Sequence, residues 1–497
     1  MKFSFYKNGI FLLILFVCTT ACDPLKKVQP TTGNNQQEEL DVIEGKRVYN
    51  QETGQYEVVT DVTGEMETIN WEEETNTTPP ISSDATDSGV SNPNDAANTN
   101  NSGPLLDENT DFLPTYNMVL ALPFMTHQNY SNDDEINPKS IPALNFYEGA
   151  KMAFDVLSNE GINLEVNVLD TKAGEGDTRN LTALSTLQNA HLIIGTFKNS
   201  TAKIMAEYAQ AKQIPFVSPY YPHNALVENN PYFVQLNPSV FAHTDATIQF
   251  LKSRYQDDQI VLVGRKTRRD QGMLNLYQKA HYKYSGTTDV MPLKQVIIED
   301  KTSSLEETML KEHFVKERPT IFVIASSQES FAYAILRKID IEKKNFDEEN
   351  EDIILEDDPV IVFGQPRWKD FTKISYDTYE KLNLHVTSES FIDPNDPSII
   401  AFRQNFFNRY GTLPTDQAIQ GYDTVLFFGR QLKNKGTGFL NTLDQEVGNA
   451  LHTQYAIDRV ITKQREVSDD NLNAFDQHEN SKIHILEFRG FQFLKVN

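Results

Sequence analysis

The segment "IPALNFYEGAKMAFDVLSNEG" (residues 141–161) decides the fold of this chain. Its apolar residues recur at spacings of 3, 4 and 3, at Tyr147, Ala150, Phe154 and Leu157. This spacing places them on one stripe of a helix, and Gly161 is a typical helix stop. Apolar runs flank the segment, "MVLALPF" from Met118 and "LEVNVLD" from Leu164. Two such runs joined by an amphipathic helix predict a βαβ unit with parallel strands.

The same alternation of short apolar runs and helical patterns continues along the chain. The runs begin at Met118, Leu164, His191, Ile214, Ile260, Gln295, Thr320 and Pro359. They are near-continuous in Val, Ile and Leu, which suits parallel strands buried on both faces. They form two groups of four, separated near residues 237–244. We therefore predict an α/β protein with two doubly wound, Rossmann-like lobes, each of normal domain size.

Residues 22–113 differ sharply in composition from the rest of the chain. They are rich in Asn, Thr, Asp, Glu and Ser, as in "ISSDATDSGVSNPNDAANTNNSGP", and have too little apolar surface to offset the entropy of ordering. We predict a disordered tether with an r.m.s. reach of roughly 50 Å. Within it, residues 45–71 place valines and tyrosines around the turn-like Glu52-Thr53-Gly54. This pattern indicates either a transient hairpin or a docking motif for a partner.

Residues 1–21 have the organisation of a signal peptide. Two lysines precede an apolar run (residues 10–17) that is shorter than the about 20 residues of a permanent membrane span. The following Thr19-Thr20-Ala21-Cys22 resembles a bacterial lipobox, although Thr19 stands where Leu is usual. We predict that Cys22 is lipidated; the alternative is a secreted protein with an incidental cysteine. Cys18 and Cys22 are the only cysteines, so the mature chain has no intramolecular disulfide.

The charge of the chain and its lack of motifs exclude several function classes. The formal net charge of −25 opposes binding to nucleic acid and electrostatic adsorption to anionic lipid. A membrane link would therefore be the acyl chains at Cys22. "KAGEGDTRNL" has Arg179 where a dinucleotide fingerprint needs a third glycine. No nucleophile elbow, Walker A motif or zinc-binding helix signature occurs, so we predict no enzyme activity, no metal site and no cofactor.

Several segments in order resemble one family. The strand and helix series through "AEYAQAKQIPFVSPYYPHNAL" is similar to the first lobe of type I periplasmic binding proteins, specifically the branched-chain amino acid binding family. The segment "FIDPNDPSIIAFRQNFFNRYGTLPTDQAIQGYDTVLFFGRQL" looks like the return of the chain in that family, with Gly421, Tyr422 and Asp423 in its pattern. "KIHILEFRGFQFLKVN" looks like its closing strand pair. The likeness covers residues 114–497.

The resemblance implies a clamshell with ligand between two lobes. Lobe 1 would comprise about residues 115–240 and 398–438, and lobe 2 about residues 241–397 and 439–497, with the crossovers as hinges. Open α/β sheets bind ligands at the carboxyl ends of their strands. The candidate ligand-binding residues are Phe124, Thr126, Thr196, Ser200, Ser218, Tyr220, Arg265, Ser326, Gln365, Trp368, Tyr422 and Asp423, together with Met125, Asp170, Tyr221, Ser327 and Arg367. For Tyr422 and Asp423, a structural role in a packed helix is the alternative.

The family pattern also implies roles that this sequence meets only in part. In the family, hydroxyls and backbone amides after the third and fourth strands hold the carboxylate of an amino acid, and an acid in lobe 2 holds its amine. Here the third strand is followed by "GTFKNST" with Lys198, and the ends of lobe 2 are basic and aromatic, with no clear acid for an amine. If Arg265 and Trp368 face the cleft, an anionic or sugar-like ligand is favoured. The alternative for these charges is a solvated rim.

Two functions from different classes fit the sequence. The first is a lipid-anchored extracytoplasmic receptor that closes on a small polar ligand, for uptake through an ABC permease or for sensing. The second is an envelope scaffold, a lipoprotein that uses its long tether to reach a partner such as a peptidoglycan synthase or an outer-membrane complex. Some lipoprotein activators of peptidoglycan synthesis have this fold. Both place the protein in the bacterial cell envelope, facing the periplasm or the surface.

Overall fold

The computed structural model describes residues 46–50, 55–59, 106, 110–128, 136–220, 229–286, 290–299, 304–349, 360–461 and 475–497. The predicted signal peptide, Cys22, Tyr221 and most of the predicted tether lie outside the described residues. The chain divides into two compact units, Met1–Asn70 and Trp71–Asn497. In the first unit, β1 (Lys46–Asn50) and β2 (Gln55–Val59) form an antiparallel pair.

The second unit contains the remaining elements. Its strands are β3 (Tyr116–Leu122), β4 (Leu164–Asp170), β5 (Leu192–Gly195), β6 (Phe216–Ser218), β7 (Phe233–Gln235), β8 (Ile260–Arg265), β9 (Lys294–Ile298), β10 (Thr320–Ile324), β11 (Val360–Gly364), β12 (Leu384–Ser388), β13 (Val447–Asn449), β14 (Gln454–Val460), β15 (Gln477–Asn480), β16 (His484–Arg489) and β17 (Gln492–Lys495). Its helices are α1 (Ile141–Asn159), α2 (Glu175–Leu181), α3 (Ser185–Gln188), α4 (Asn199–Lys212), α5 (Val240–Lys252), α6 (Arg268–Ser285), α7 (Ser304–Glu307), α8 (Glu329–Glu349), α9 (Tyr376–Lys381), α10 (Pro397–Tyr410) and α11 (Asp416–Lys435). In the part of the chain that is described, no helix combines the length and hydropathy needed to cross a bilayer.

The strands form two sheets with the same arrangement. The first sheet has the order β13-β14-β15-β7-β6-β5-β3-β4, and the second has the order β17-β16-β12-β11-β10-β8-β9. In each, five parallel strands follow the order second, first, third, fourth, fifth, which is a doubly wound arrangement. The remaining strands extend the sheet beyond the fifth strand. The predicted pair of doubly wound lobes is confirmed.

The fifth strand of each lobe is absent from the predicted groups of four. Strand β7 is only three residues long, and β12 reads "LHVTS", with polar residues at alternate positions. Neither has the continuous apolar run by which the other parallel strands were recognised, although both are fully buried. A short or polar strand gains its stability from its neighbours in the sheet, so its own sequence signals it weakly.

Three crossovers connect the lobes, and one of them corrects the predicted boundaries. They run from β7 to α5, from β12 to α10, and from β15 to β16. Strands β13, β14 and β15 lie in the first sheet, whereas the sequence placed all of residues 439–497 in lobe 2. Only β16 and β17 return to the second sheet. The order of apolar segments does not specify which sheet a late strand joins, since both sheets offer a free edge.

Helices cover both faces of each sheet. In lobe 1, α1 and α11 pack on one face and α4 on the other. In lobe 2, α8 and α9 pack on one face and α5 and α6 on the other. Burial on both faces explains why most of the parallel strands carry apolar residues at nearly every position.

Helices α1 and α11 cross with their backbones in contact. A Cβ on Gly149 would lie 1.7 Å from the carbonyl oxygen of Ala418, and a Cβ on Gly421 would lie 2.0 Å from that of Phe146. Only glycine allows this separation on both helices. Gly149 of α1 and Gly421 of the "GYD" motif in α11 therefore form the two sides of one helix–helix contact.

The chain enters lobe 1 along the end of α11. The amide of Asp111 donates to Oγ1 of Thr437 (3.0 Å), and the amide of Thr437 donates to the carbonyl of Asp111 (3.0 Å). Leu106 and Leu113 pack against the lobe 1 core. The last residues of the predicted tether, 110–113, thus belong to the folded lobe.

We expect Gly421→Ala to destabilise the protein by about 1–3 kcal/mol, the usual cost of forcing a methyl group into a packed contact. Urea unfolding followed by circular dichroism measures this loss. Gly272→Ala is the matched control, because Gly272 lies inside α6 and a methyl group there would meet no neighbouring group within 4 Å. The control should gain up to about 1 kcal/mol of helix stability. Equal effects of the two substitutions would contradict the close crossing.

Candidate functional site

The carboxyl ends of the parallel strands in both sheets adjoin the crossovers. Strands β7, β12 and β15 each pass into a crossover at their carboxyl end. The strand order reverses between β3 and β5 in lobe 1 and between β8 and β10 in lobe 2. Doubly wound folds bind ligands at such reversal points. The residues that follow β5, β6, β10, β11 and β12 therefore define the region in which a site is expected.

Three predicted hydroxyl residues meet at this edge of lobe 1. Thr196 follows β5, Ser200 lies in the first turn of α4, and Ser218 ends β6. Their side-chain oxygens are buried and have no hydrogen-bond partner among the residues that the structure describes, and Thr196 and Ser218 are fully buried residues. Leaving a buried polar atom unpaired costs about 1–3 kcal/mol. We call Thr196, Ser200 and Ser218 the hydroxyl cluster.

The start of helix α4 adds backbone donors to the hydroxyl cluster. Lys198 occupies the N-cap position and makes no capping bond with its side chain. The first amides of a helix have no partner within the helix, and they attract anions. The hydroxyl cluster and these amides together can hold an oxyanion such as a carboxylate.

Two aromatic rings stand beside the hydroxyl cluster. Phe197 stacks on Tyr220 with ring centroids 4.5 Å apart and packs edge-on against Phe146. The Tyr220 hydroxyl accepts a hydrogen bond from Nε2 of Gln417 on α11 (3.2 Å). Burial raises the pKa of Tyr220, so the phenol is neutral. The "GTFKNST" loop, which departs from the family pattern, thus supplies an aromatic wall beside the hydroxyls.

The other predicted ligand-binding residues of lobe 1 described by the structure make contacts within lobe 1. Phe124 packs in the core and meets Tyr147 edge-on at 5.7 Å. Asp170 accepts from the amides of Met125 and Thr126, from the Thr126 hydroxyl and from the Lys172 amide. Although burial opposes it, these hydrogen bonds lower the pKa of Asp170. Asp170 therefore fixes the loops after β3 and β4.

Arg265 and Trp368 do not offer their polar groups to the cleft. The Arg265 guanidinium binds the fully buried Asp270 (Nε to Oδ2, 2.9 Å) and Gln328. Trp368 is fully buried in the lobe 2 core, and its indole N–H donates to the carbonyl of Ser326 (3.0 Å). A ring in the core cannot stack on a ligand. The inference of an anionic or sugar-like ligand from these two residues therefore loses its basis.

The polar groups of Ser326 and Gln365, two further predicted residues of lobe 2, form hydrogen bonds within the lobe. Ser326 is buried, and its hydroxyl accepts from the Gln328 amide (3.3 Å). Gln365 donates to the Tyr277 hydroxyl (3.0 Å) and to the carbonyl of Ile324 (2.8 Å). Gln365 also lines a hollow of about 10 Å³, room for about one water molecule, bounded by Val240, His243, Met273, Tyr277, Gln365, Pro366 and Thr387.

Tyr422 and Asp423 have structural contacts. Tyr422 packs on Phe402 of α10 with ring centroids 4.8 Å apart. Asp423 is buried, accepts from the amides of Leu451 and His452 (2.9 Å each), and contacts Nδ1 of His452. It fastens α11 to the turn before β14. The structural alternative for this pair fits these contacts.

Glu389 is the residue that the sequence analysis missed. It follows β12 in the second crossover, and its carboxylate accepts a hydrogen bond from Nζ of Lys369 (3.4 Å). Its side chain is 38% exposed. Burial opposes ionisation, but Lys369 and neighbouring groups lower the pKa of Glu389, so it carries a negative charge that also influences Tyr220 of lobe 1. Recognising "LHVTS" as a strand would have placed Glu389 at a strand end.

Buried polar contacts tie the three crossovers together. The Ser239 amide donates to Glu479 (2.8 Å), which joins the first crossover to the third. The Thr453 hydroxyl donates to the carbonyl of Glu389 (3.0 Å) and contacts Nε2 of His484 (3.2 Å). These contacts hold the backbone of Glu389 in place. No group of metal-ligating side chains occurs among the residues described.

Comparisons with known proteins establish the family. A sequence profile described as the receptor family ligand binding region matches residues 147–465. The chain belongs to this family. No match to a curated protein sequence was found.

Solved structures agree with the fold. The chain is similar to a candidate branched-chain amino acid ABC transporter from Rhodospirillum rubrum, with 12% identity over 77% of this chain and 100% of that one and a TM-score of 0.52. It also aligns with an ABC transporter substrate-binding protein from Desulfitobacterium hafniense in complex with Leu, at 14% identity over 77% and 100% of the chains and a TM-score of 0.46. At these identities the likeness concerns the fold alone. The predicted two-lobe fold of type I periplasmic binding proteins is confirmed.

Buried histidines at the crossovers should make stability depend on pH. Burial lowers the pKa of His243 to about 4 and of His484 to about 4, against about 6.5 in an unfolded chain. Between pH 6.5 and 4 these two histidines bind protons in the unfolded chain but not in the folded protein. The free energy of unfolding should therefore fall as the pH drops. The loss is at most about 3 kcal/mol per histidine.

Urea unfolding at a series of pH values measures this effect. His484→Gln cannot titrate, so its stability should fall less steeply than that of the unmodified protein over the same range. Parallel curves for the two proteins would show that His484 is protonated as easily in the folded state as in the unfolded chain.

Proposed function

We propose that this protein is a lipid-anchored, extracytoplasmic solute-binding protein. Its two lobes close on a small polar ligand, and it serves ABC-type uptake or sensing through a membrane partner. Domain closure of this kind uses the binding energy of the ligand to favour the closed state. The family and the fold support a solute-binding role, and the side chains at the crossovers support the ligand chemistry.

The hydroxyl cluster is the observation that carries the proposal. Three buried hydroxyls that lack partners among the described residues, beside the start of helix α4, form an arrangement that is unfavourable when empty. A ligand carboxylate would pair with all of them. Other hydroxyls, such as those of Ser253 and Ser285, donate to helix carbonyls. The hydroxyls of Thr171, Tyr208 and Thr442 are also buried without a partner among the described residues. The hydroxyl cluster stands out because its three members lie at or after the ends of the neighbouring strands β5 and β6.

Glu389 supports an amine on the same ligand. A carboxylate whose pKa is lowered and whose side chain is 38% exposed at the crossovers can accept from an ammonium group. We propose a ligand with one carboxylate and one amine, such as an amino acid, with its carboxylate at the hydroxyl cluster and its amine at Glu389. The aromatic pair of Phe197 and Tyr220 would bound the ligand on the lobe 1 side.

Native mass spectrometry of the full chain, extracted in mild detergent, should detect a co-purified small molecule. Thermal-shift measurements with amino acids, muropeptides and sugars then identify its class. Ser218→Ala should weaken binding by roughly tenfold, the effect of losing a hydrogen bond to a charged group. Ser285→Ala, a hydroxyl bonded within α6, is the control and should bind normally. A clean mass without any thermal shift would refute the receptor and favour the envelope scaffold.

The anchor is proposed on the sequence alone, because Cys22 precedes the polar segment and follows an apolar run. Cys22→Ser should release the protein from the membrane fraction, since a diacylated cysteine is the attachment. Fractionation and mass spectrometry of the amino-terminal peptide measure this change. Cys18→Ser is the control and should leave the attachment intact. Membrane retention of the Cys22→Ser protein would show that another segment holds it.

A further inference from the structure

Lys369 lies beside the carboxylate proposed to receive the ligand amine. It belongs to the turn Pro366–Asp370 after β11, and its Nζ donates to Oγ of Ser388 (3.1 Å) and to Oε1 of Glu389 (3.4 Å). The side chains of Lys369 and Glu389 are 26% and 38% exposed. The pair is therefore partly open to solvent.

The position of Lys369 is fixed by the core of lobe 2. The neighbouring Trp368 is fully buried, its indole N–H donates to Ser326, and its carbonyl accepts from the Tyr379 hydroxyl (3.0 Å). These contacts hold the turn, so the ammonium group is presented from a rigid backbone. Because the ammonium group already donates to Ser388 and Glu389, part of the entropy cost of ordering the lysine side chain is met before a ligand binds.

The ammonium nitrogen of Lys369 lies closer to the Ser388 hydroxyl (3.1 Å) than to the Glu389 carboxylate (3.4 Å). Its two contacts with described residues use two of its three N–H donors. A carboxylate has about four lone-pair sites, so Glu389 can accept from a second donor as well as from Lys369. Burial lowers the pKa of the nearby His243 to about 4, so this histidine is neutral near pH 7. Lys369 is then the positive charge that contributes most to the lowered pKa of Glu389.

We propose that Lys369 sets the charge selectivity of the site. This inference rests on the proposed function. A ligand amine at Glu389 brings its remaining groups close to a fixed ammonium that has a donor to spare. The ligand amine is compensated by the Glu389 carboxylate. A second positive charge on the ligand side chain has no such partner and is repelled by Lys369, whereas a side chain with an oxygen acceptor gains a charge-assisted hydrogen bond there. The site thus favours amino acids with acidic, amide or neutral side chains over those with basic side chains.

Calorimetric titration of the full chain with L-glutamate, L-leucine and L-lysine tests this selectivity. The unmodified protein should bind L-lysine most weakly. Lys369→Met should tighten L-lysine and weaken L-glutamate, each by about fivefold, as expected for a partly exposed charge pair. Lys369→Arg keeps the charge and should keep the order of affinities.

Lys373→Met is the matched control, because Lys373 is an exposed lysine a few residues further along the chain, and it should bind as the unmodified protein does. An unchanged ratio of the L-lysine and L-glutamate dissociation constants in Lys369→Met would overturn the inference while leaving the proposed function standing. The same shift in Lys373→Met would also overturn it, since any surface charge would then suffice. If none of the three amino acids binds the unmodified protein, the inference is overturned, and the native mass spectrum and thermal-shift panel decide the proposed function separately.

Discussion

The contact on which the structure depends is the crossing of α1 and α11 at Gly149 and Gly421. There the two helix backbones touch, and a methyl group on either glycine would collide with a carbonyl oxygen of the other helix. Helix α1 precedes the five parallel strands of lobe 2 in the chain, and α11 follows them. Their contact therefore builds lobe 1 from two distant segments, and the chain must leave lobe 1 and return to it between them. The first two crossovers are a consequence of this packing.

Helix α11 also joins the parts of the molecule that concern function. Near its start, Gln417 and Gln420 donate to the Tyr220 hydroxyl and to the carbonyl of Pro219 beside the hydroxyl cluster. In its middle, Asp423 holds the turn that carries Thr453, which in turn fixes Glu389. Just beyond its end, Thr437 bonds the segment through which the polar amino-terminal region enters. The proposed ligand site, the second crossover and the entry of the chain thus all contact one helix.

The cleft shows why a charged or aromatic residue at a strand end is a weak guide to ligand chemistry. Arg265 pairs with a buried aspartate five residues further along, and Trp368 fills the space above Gly364 in the lobe 2 core. Both side chains thus stabilise lobe 2 itself. The hydroxyls of Thr196, Ser200 and Ser218, in contrast, have no hydrogen-bond partner among the described residues and lie together at the ends of the neighbouring strands β5 and β6. A buried polar group without a partner is costly, and it therefore points to a ligand more directly than an exposed charge does.

The sequence by itself determined the α/β class, the parallel strands with continuous apolar runs and the hydroxyls at the ends of β5 and β6, because burial on both faces and strand-end position leave a local pattern. The short strand β7, the polar strand β12 and the sheet joined by β13 to β15 were decided only by tertiary structure. Their stability comes from neighbouring strands rather than from their own residues. The pairing of Lys369 with Glu389 likewise exists only once β11 and β12 lie side by side. The periodicity of apolar residues in the sequence indicates which positions are buried. Contacts between side chains that are distant in the sequence depend on the folded structure.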